Sequence, residues 1–519
     1  MENFWQNNQT KIFWILLTIY FLIGLFHVFW GNFWIDEGWY FGSSSMISQG
    51  QIPYVDFFAH HSPFVYYFYA LPQLIFGTGL IVGRLTSLLL MLGIFVLIWQ
   101  IVKKICSGWW PTVSALILIA NFYNIYYFTT FSYRVLEAFL MTGFFWSLIM
   151  IAENKKKYAL SALFLILAIG TRYPIDFLSI LAAIYILLVS FEFKSNREVL
   201  IPFWSTIVIT LGVIFGPFLI LNYKNFIFGT VEFPFKDVSW LISFGIMKEQ
   251  DLLHKIFRIF ANLAGAIKNF LVVIVLMTVG LVAWFKKDSW KRLKGNLLNP
   301  LYLMSFFVIA NAGFLAISSN TDALYSFWNF VFPIGAILAT YFLRNISEQF
   351  KIPSWSVISF MAIFCIAGLV IADNGVGSIL KLKPDLDYYS QGATAIQKHS
   401  QANDRILTFT PVLAFQAKRP IVSGTIMEIY SYFPTWKDSE CLEKKILNKN
   451  LLIKEIENKN PKLIVLTQKR FFDTQGPSAI FNNNRTEIMA AIEKNYSLIQ
   501  TINYPDNVGQ GNIYIYSKQ

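Results

Sequence analysis

The sequence is poor in charge, in cysteine and in the short motifs that mark many enzymes. Only 14% of its 519 residues are charged, whereas 55% are hydrophobic, which excludes an ordinary soluble enzyme. The three cysteines, at positions 106, 365 and 441, are odd in number and far apart, so they define neither a disulfide framework nor a zinc site. The sequence contains no glycine-rich phosphate loop and no nucleophilic serine or cysteine motif. It therefore gives no indication of ATP hydrolysis or of covalent catalysis.

The sequence instead has a series of long apolar runs separated by short basic clusters. A membrane span takes about 20 apolar residues, and about eleven runs are long enough or nearly so. They lie at 12–31, 81–102, 110–130, 135–152, 158–172, 175–191, 200–221, 266–285, 299–318, 323–343 and 354–372. The 51 phenylalanines, 25 tyrosines and 16 tryptophans suit the aromatic belts of membrane proteins. The composition predicts a polytopic α-helical membrane protein with about eleven transmembrane helices.

The basic residues predict how the chain is oriented, because Lys and Arg concentrate in cytoplasmic loops. With a cytoplasmic N-terminus, the inner turns carry clusters such as Lys103-Lys104 and Lys286-Lys287, whereas the first outer loop, residues 32–80 and hereafter the first loop, carries none. The formal net charge of +12 is thus read as a topology signal, and nucleic acid is not expected as a partner. We expect a multi-pass protein of the plasma membrane that contacts membrane lipids.

The composition becomes polar after residue 372, which divides the chain into a membrane domain, 1–372, and a C-terminal domain, 373–519. An odd number of spans places the second domain outside the cytoplasm. Its apolar runs predict strands, and the spacing of Leu442, Ile446, Ile453 and Ile456 predicts an amphipathic helix. The predicted strands are 406–409, 463–466 and 513–516. An extracytoplasmic α/β domain is therefore expected.

The short aromatic segment 64–79 is interpreted as an interfacial or re-entrant helix.

Ionisable residues of the spans collect at the predicted outer ends. They are Asp36, Arg84, Glu137, Asp176 and Lys268. Ion-coupled transporters place charge near the bilayer midplane, so this distribution favours chemistry at the outer membrane surface, on a molecule that the lipid presents. A transporter or flippase of a lipid-linked glycan is the alternative function, and a non-catalytic membrane scaffold is a further one. Paired acidic residues in the middle of a span would have favoured transport.

The first loop holds candidate catalytic groups directly after the first span. Asp36 and Glu37 supply carboxylates, one of which can act as a general base. Charge beside hydrocarbon is costly, which favours an active-site loop over a merely solvated one. His60 and His61 beside Asp56 offer a partial metal site, but a second spaced pair does not follow. We expect no required cofactor. Binding of a divalent cation by these residues remains open, and the alternative is a polar loop whose side chains pack on one another.

Arginines at other outer ends supply the cations that a phosphate needs. Arg134 and Arg172 can bind phosphate with two parallel hydrogen bonds each, while the alternative for each is an arginine that reaches toward lipid headgroups. Glu137 lies three residues after Arg134, on the same face of a helix. Two roles remain open for Glu137, as a partner in a structural ion pair or as a residue of the site. A base together with phosphate-binding cations fits group transfer from a lipid-phosphate donor.

Several of these segments resemble motifs of the GT-C glycosyltransferases. The resemblance is to the branch that contains protein O-mannosyltransferases, the aminoarabinose transferase of lipid A and lipopolysaccharide-core sugar transferases. The segments are Asp36-Glu37-Gly38, Pro53-Tyr54 with Asp56, His61-Ser62-Pro63, Arg134-Val135-Leu136-Glu137 and Arg172-Tyr173-Pro174. Ser62 stands where the family usually has proline.

The resemblance implies a function and a set of site residues. Asp36 would be the catalytic base and Glu37 its neighbour in the acceptor site. The substrate site would include Asp56, His60, His61, Arg134, Glu137 and Arg172. The donor would be a polyprenyl-phosphate-linked monosaccharide, transferred with inversion to a hydroxyl of a lipid, a glycan or a protein. Such a reaction belongs to the building of the cell envelope, in lipopolysaccharide biosynthesis or in protein glycosylation.

Overall fold

The computed structural model describes residues 2–33, 36–150, 154, 156–172, 177–234, 236, 242, 256–257, 260–261, 264, 298–317, 321–353, 356–357, 359–361, 363, 366, 385–504 and 511–519. Helices account for most of its membrane part. They are α1 (Glu2–Trp30), α2 (Glu37–Ser48), α3 (Pro63–Phe76), α4 (Leu80–Ile105), α5 (Trp110–Ala120), α6 (Phe122–Thr129), α7 (Tyr133–Met150), α8 (Lys157–Ile169), α9 (Phe177–Glu192), α10 (Arg197–Ile227), α11 (Pro300–Ile317) and α12 (Thr321–Gln349).

Some of these helices are long and apolar enough to cross a membrane. By length and composition, four qualify among the described residues: Asn8–Trp30, Leu80–Ile105, Tyr133–Met150 and Arg197–Glu232. Shorter apolar helices are Trp110–Ala120, Lys157–Ile169, Leu178–Glu192 and Pro300–Asn311. These helices coincide with predicted spans, and the described residues of the predicted membrane domain form a polytopic helical fold. The count of eleven stays a prediction. The span 266–285, most of 354–372, and the residues Asp176, Lys268, Tyr173 and Pro174 lie outside the described residues.

Helix α4 packs against several other helices, among them α1, α5 and α7. Close approach is possible because glycines face the neighbouring elements. A Cβ atom on Gly83 of α4 would lie 1.9 Å from the ring of Phe131, so any side chain there would push α4 away from the turn before α7. This contact matters for the site, because the backbone of Phe131 binds a carboxylate of the first loop.

Two predictions for the first half of the chain need correction. The span 110–130 is broken into α5 and α6 at Asn121, whose side chain caps the second helix through the backbone N–H of Asn124 at 2.9 Å. The first loop contains a helix, α2, whose residues 37–47 are all buried. Its polar serines did not indicate a buried helix. The segment predicted as interfacial forms α3, whose 14 residues span only about 21 Å.

The C-terminal region, residues 385–519, contains a four-stranded sheet in the order β1-β2-β4-β3. The strands are β1 (Ile406–Thr408), β2 (Leu463–Thr467), β3 (Tyr496–Ile502) and β4 (Ile513–Lys518). β1 is parallel to β2, and the other neighbours are antiparallel. The accompanying helices are α13 (Asp385–His399), α14 (Pro411–Gln416), α15 (Asp438–Lys444), α16 (Lys449–Glu457) and α17 (Arg485–Asn495).

The predicted strands of this region are confirmed, whereas β3 was not predicted. The single predicted helix around Leu442 to Ile456 is wrong, because two helices, α15 and α16, take its place. Lys445 adopts a left-handed conformation with φ 58°, which ends α15. Asn448 then begins α16 by accepting a hydrogen bond from the backbone N–H of Leu451 at 2.8 Å.

Helix α2 is covered by the C-terminal region. A Cβ atom on Gly42 would lie 2.9 Å from the ring of Phe415 on α14 and 3.3 Å from Ile426. The rings of Trp39 and Tyr430 meet edge to face, with 5.1 Å between their centroids. The first loop therefore lies at the junction between the membrane helices and the C-terminal region.

Candidate active site

The carboxylate of Glu37 is held in a buried ion pair with Arg84. Arg84 donates from Nε and Nη2 to the two carboxylate oxygens at 2.8 and 2.7 Å, and the backbone N–H of Phe131 donates to Oε2 at 3.0 Å. Arg84 also donates to the carbonyl oxygens of Val28, Gly31 and Asn32, which end the first helix. Both side chains of the pair are buried. Glu37 thus ties α1, α4 and the turn before α7 to the start of α2.

The neighbouring carboxylate, Asp36, has a different environment. Asp36 occupies the N-cap position of α2 without forming a side-chain cap. Its Oδ2 atom lies 3.5 Å from Nη2 of Arg134, and its side chain is 18% exposed, whereas Arg134 is 6% exposed. This separation is longer than a tight Arg–carboxylate hydrogen bond. Asp36 is therefore paired with a cation and still accessible to a substrate.

Arg134 and Arg172, the two predicted phosphate-binding residues, lie against one ring. Their guanidinium carbons are 5.6 and 5.3 Å from the centroid of Tyr133. The carbonyl of Arg172 accepts a hydrogen bond from the backbone N–H of Ser62 at 2.5 Å, which fixes this part of the chain to the first loop. Arg134 also lies over the ring of Tyr127 at 5.0 Å. The structure thus brings both arginines to Tyr133 and places Asp36 beside Arg134.

The two histidines are packed beside these groups. Nε2 of His61 is 3.2 Å from the hydroxyl of Tyr40, and Nδ1 of His60 is 3.2 Å from the sulfur of Met427. Burial lowers the pKa of His60 to about 3. Burial, followed by the neighbouring His60 and the two arginines, lowers the pKa of His61 well below its ordinary value. Both imidazoles are therefore neutral at neutral pH and act as hydrogen-bonding and stacking groups.

The structure links Asp56 and Glu137, the remaining predicted residues, less directly to this site. The carboxylate of Asp56 accepts a hydrogen bond from the backbone N–H of Ile52 at 2.7 Å, so it stabilises its own exposed turn. Glu137 is buried on α7, one turn after Arg134. Within the described ranges, no group of three or more His, Cys, Asp or Glu side chains is arranged to hold a metal ion.

A further carboxylate at this site was not predicted from the sequence. Glu428, from the C-terminal region, is buried and forms an ion pair with Arg470. A Cβ atom on Gly38 would lie only 2.9 Å from Oε1 of Glu428, so this oxygen lies on the first turn of α2. Burial raises the pKa of Glu428 to about 7, with Arg470 lowering it and the charge of Asp36 raising it. No pattern in the sequence marks Glu428, because it lies in a polar region far along the chain.

Comparison with known proteins extends these observations. Residues 60–220 match the family model of dolichyl-phosphate-mannose-protein mannosyltransferases. The structure of ArnT from Cupriavidus metallidurans bound to undecaprenyl phosphate matches with a TM-score of 0.60 at 13% identity, over 98% of this chain and 97% of that one. The apo state of the same protein matches with a TM-score of 0.55 at 14% identity, over 99% and 98% of the two chains. The fold is that of the GT-C enzymes, and the family match marks the chain as a glycosyltransferase.

A more distant GT-C structure agrees with this assignment. The oligosaccharyltransferase of Archaeoglobus fulgidus, tethered to an acceptor peptide, matches with a TM-score of 0.50 at 11% identity, over 98% of this chain and 74% of that one. A search of curated proteins by sequence finds no match. At such low identities the solved structures show the GT-C fold alone. The roles of individual residues must be argued from the geometry of this chain.

Proposed function

We propose that the protein moves a monosaccharide from a polyprenyl-phosphate donor to an acceptor hydroxyl at the outer face of the membrane, with inversion. One observation carries the proposal: Asp36 lies 3.5 Å from Arg134, and Arg134 and Arg172 contact the same ring of Tyr133. The proposed base and the two proposed phosphate-binding groups thus lie close together. That ArnT binds undecaprenyl phosphate supports the donor class, and the orientation in the membrane follows the basic loops.

The two arginines would hold the phosphate of the donor. In a polyprenyl-phosphate sugar this phosphate is a diester with one negative charge, and it leaves as a monoester that gains a second charge. Positioned guanidinium groups stabilise the charge that develops on the leaving oxygen. The leaving phosphate then needs no proton, so no general acid is required on the donor side. Tyr133, whose ring both guanidinium groups contact, would help to position them.

Asp36 would supply what the acceptor lacks. The acceptor oxygen forms a bond to the anomeric carbon while the bond from that carbon to the phosphate oxygen breaks, and its electron pair goes to the phosphate. Asp36 takes the proton of the acceptor hydroxyl. Attack on the face opposite the leaving group inverts the anomeric carbon. No covalent intermediate with the protein is formed.

Pairing between Asp36 and Arg134 couples the two halves of this reaction. A carboxylate held by a guanidinium is a weaker base, because the cation favours the charged form. The donor phosphate would compete with Asp36 for Arg134, since arginine binds phosphate with two hydrogen bonds. Binding of the donor would therefore release Asp36 and make it a stronger base. The order of events is then donor first and acceptor second.

The assay is transfer by purified protein from a panel of radiolabelled polyprenyl-phosphate sugars. Lipid, glycan and protein fractions of the same cell envelope serve as acceptors, and the label identifies the class. We expect label to move from one donor to one class of acceptor and EDTA to leave the rate unchanged. Inhibition by EDTA that Mg²⁺ or Mn²⁺ reverses would add a divalent cation to the site. Donor binding without transfer to any acceptor, together with movement of the lipid across vesicles, would instead support a flippase.

A further inference from the structure

A carboxylate from the C-terminal region reaches the start of α2. Glu428 is only 1% exposed, and its Oε1 atom lies 2.9 Å from the position that a Cβ atom would take on Gly38. The charge of Asp36 acts on the Glu428 carboxyl, so the two groups interact electrostatically. A side chain at position 38 would force this oxygen to shift. The first turn of α2 thus lies beside two carboxylates, one from each part of the chain.

Glu428 is held in place from its other side by Arg470. The Nη2 atom of Arg470 contacts Oε2 of Glu428, and Arg470 itself is only 3% exposed. The positive end of the α2 dipole also favours a carboxylate at this turn. Burying both charges is costly unless their geometry is well defined. The pair therefore fixes where the Glu428 carboxylate lies relative to Asp36.

The backbone at Glu428 is strained. Its φ of 53° lies in the left-handed region, which is uncommon for a residue with a long side chain. The turn is maintained by hydrogen bonds from the backbone N–H of Glu428 to the carbonyl of Thr425 and from the backbone N–H of Met427 to the hydroxyl of Ser431. Glycine would adopt this conformation without strain. What glutamate adds at this position is its carboxylate, and strain of this kind is concentrated at functional sites.

We propose that Glu428 is a positioning residue of the transferase site, which acts through Asp36. Once Glu428 is ionised, its negative charge makes Asp36 a stronger base, while its contact with Gly38 fixes the turn that carries Asp36. The inference rests on the proposed function, because Asp36 must be the base for it to hold. The C-terminal region then completes the active site as well as covering it.

The groups around Glu428 define how this effect depends on pH. Arg470 faces Glu428 from the C-terminal region, Asp36 faces it from the start of α2, and Arg134 is paired with Asp36 in turn. The pKa of Glu428 is raised to about 7, so Glu428 gains its negative charge as the pH rises through about 7. That charge makes Asp36 a stronger base. The wild-type rate should therefore rise through this pH, and a variant without the carboxyl should lack the rise.

The test is the pH profile of single-turnover transfer at saturating donor. For Glu428→Gln we expect the rise near pH 7 to disappear, so that the rate above pH 7 falls roughly 3–10-fold while the rate below pH 7 changes little. Glu428→Asp keeps a carboxyl that can ionise and should keep most of the rise. The matched control is Glu487→Gln, which neutralises an exposed carboxylate paired with Lys449 and should leave the profile unchanged.

A second variant removes the contact without changing any charge. Gly38→Ala places a methyl carbon 2.9 Å from the position of Oε1 of Glu428, so it should displace the carboxylate and reduce the rise near pH 7. This variant still tests the inference if Glu428→Gln does not fold. Gly212→Ala is its control, because a Cβ atom there meets nothing within 4 Å.

The outcomes separate the inference from the proposed function. If the wild type transfers sugar and Asp36→Asn does not, but Glu428→Gln and Gly38→Ala keep the wild-type profile, the inference is wrong and the proposed function stands. If Glu428→Gln lowers the rate equally at every pH, Glu428 only supports the fold, and the inference also fails. If the wild type transfers no sugar from any donor, the proposed function fails and the inference falls with it.

Discussion

Arg84 and Glu37 form a bidentate ion pair inside the membrane part of the protein, with hydrogen bonds of 2.8 and 2.7 Å. Asp36, the preceding residue, is instead accessible and lies 3.5 Å from Arg134. Two adjacent carboxylates therefore have different environments. Glu37 positions the chain, and Asp36 is accessible, as the proposed base must be. The contrast leads to separate predictions for the two residues.

Glu37→Gln should destabilise the protein more than it changes the chemistry. It leaves the buried guanidinium of Arg84 without its counter-charge, which typically costs about 3–5 kcal/mol. Thermal unfolding in detergent measures the effect, and the double variant Glu37→Gln/Arg84→Met should lose less than the two single variants summed. Glu487→Gln, in an exposed pair, should cost about 1 kcal/mol or less. Equal stability of Glu37→Gln and the wild type would show that the pair does not hold the first loop.

Arg172→Ala should weaken donor use more than Arg172→Lys does. Lysine keeps the charge but loses the planar fork that binds two phosphate oxygens. The expected pattern is a rise in the donor KM, in the order wild type, lysine variant, alanine variant, with the acceptor KM little changed. Arg419→Ala is a control, because Arg419 binds Ser400 in the C-terminal region. An unchanged donor KM in Arg172→Ala would remove Arg172 from the phosphate site.

His60 should make the protein less stable in acid. Burial lowers the pKa of His60 to about 3, whereas an exposed histidine of the unfolded chain titrates near 6.5. Between about pH 6.5 and 3 the unfolded state binds more protons, so the folded state loses stability as the pH falls through this window. His60→Phe keeps the packing against neighbouring rings and should lose less stability on acidification. If both proteins lost the same amount of stability between pH 7 and pH 4, this interpretation would be contradicted.

The predicted orientation can be tested with single cysteines. The native Cys106 and Cys441 are both buried, so labelling them in the folded protein would not report on the side of the membrane. In a cysteine-free background, Lys454→Cys on α16 should react with an impermeant thiol reagent in intact cells. Lys104→Cys, at the end of α4, should react only after lysis. Both positions are exposed, and the reverse pattern would invert the topology.

Some of the site could be predicted because it depends on local sequence and topology. Asp36 follows the first apolar run, and Arg134 and Arg172 flank later runs, so membrane orientation alone predicts all three on one side. The burial of α2 could not be predicted, since it depends on Phe415 and neighbouring residues folding over Gly42. Glu428 was missed for the same reason. Its proposed role depends on a tertiary contact with Gly38, and the polar sequence around it has no feature that marks a site residue.

The pairing of carboxylates could not be predicted either. The residue types alone leave Asp36 and Glu37 both open as the base, and only the family resemblance favours Asp36. Only the fold shows that Glu37 is engaged by Arg84, that Asp56 stabilises its own turn and that Glu137 is buried on α7. Which carboxylate remains accessible to a substrate depends on packing, and local sequence does not encode it.

The most direct test of the account is single-turnover transfer by Asp36→Asn at saturating donor. Asparagine keeps the shape and removes the base, so the rate should fall by ~10²–10⁴-fold, while donor binding should change little. Asp56→Asn and Glu137→Gln, measured alongside, should retain far more activity. Transfer by Asp36→Asn at nearly the wild-type rate, with either of the other two variants inactive, would contradict the assignment of Asp36 as the base.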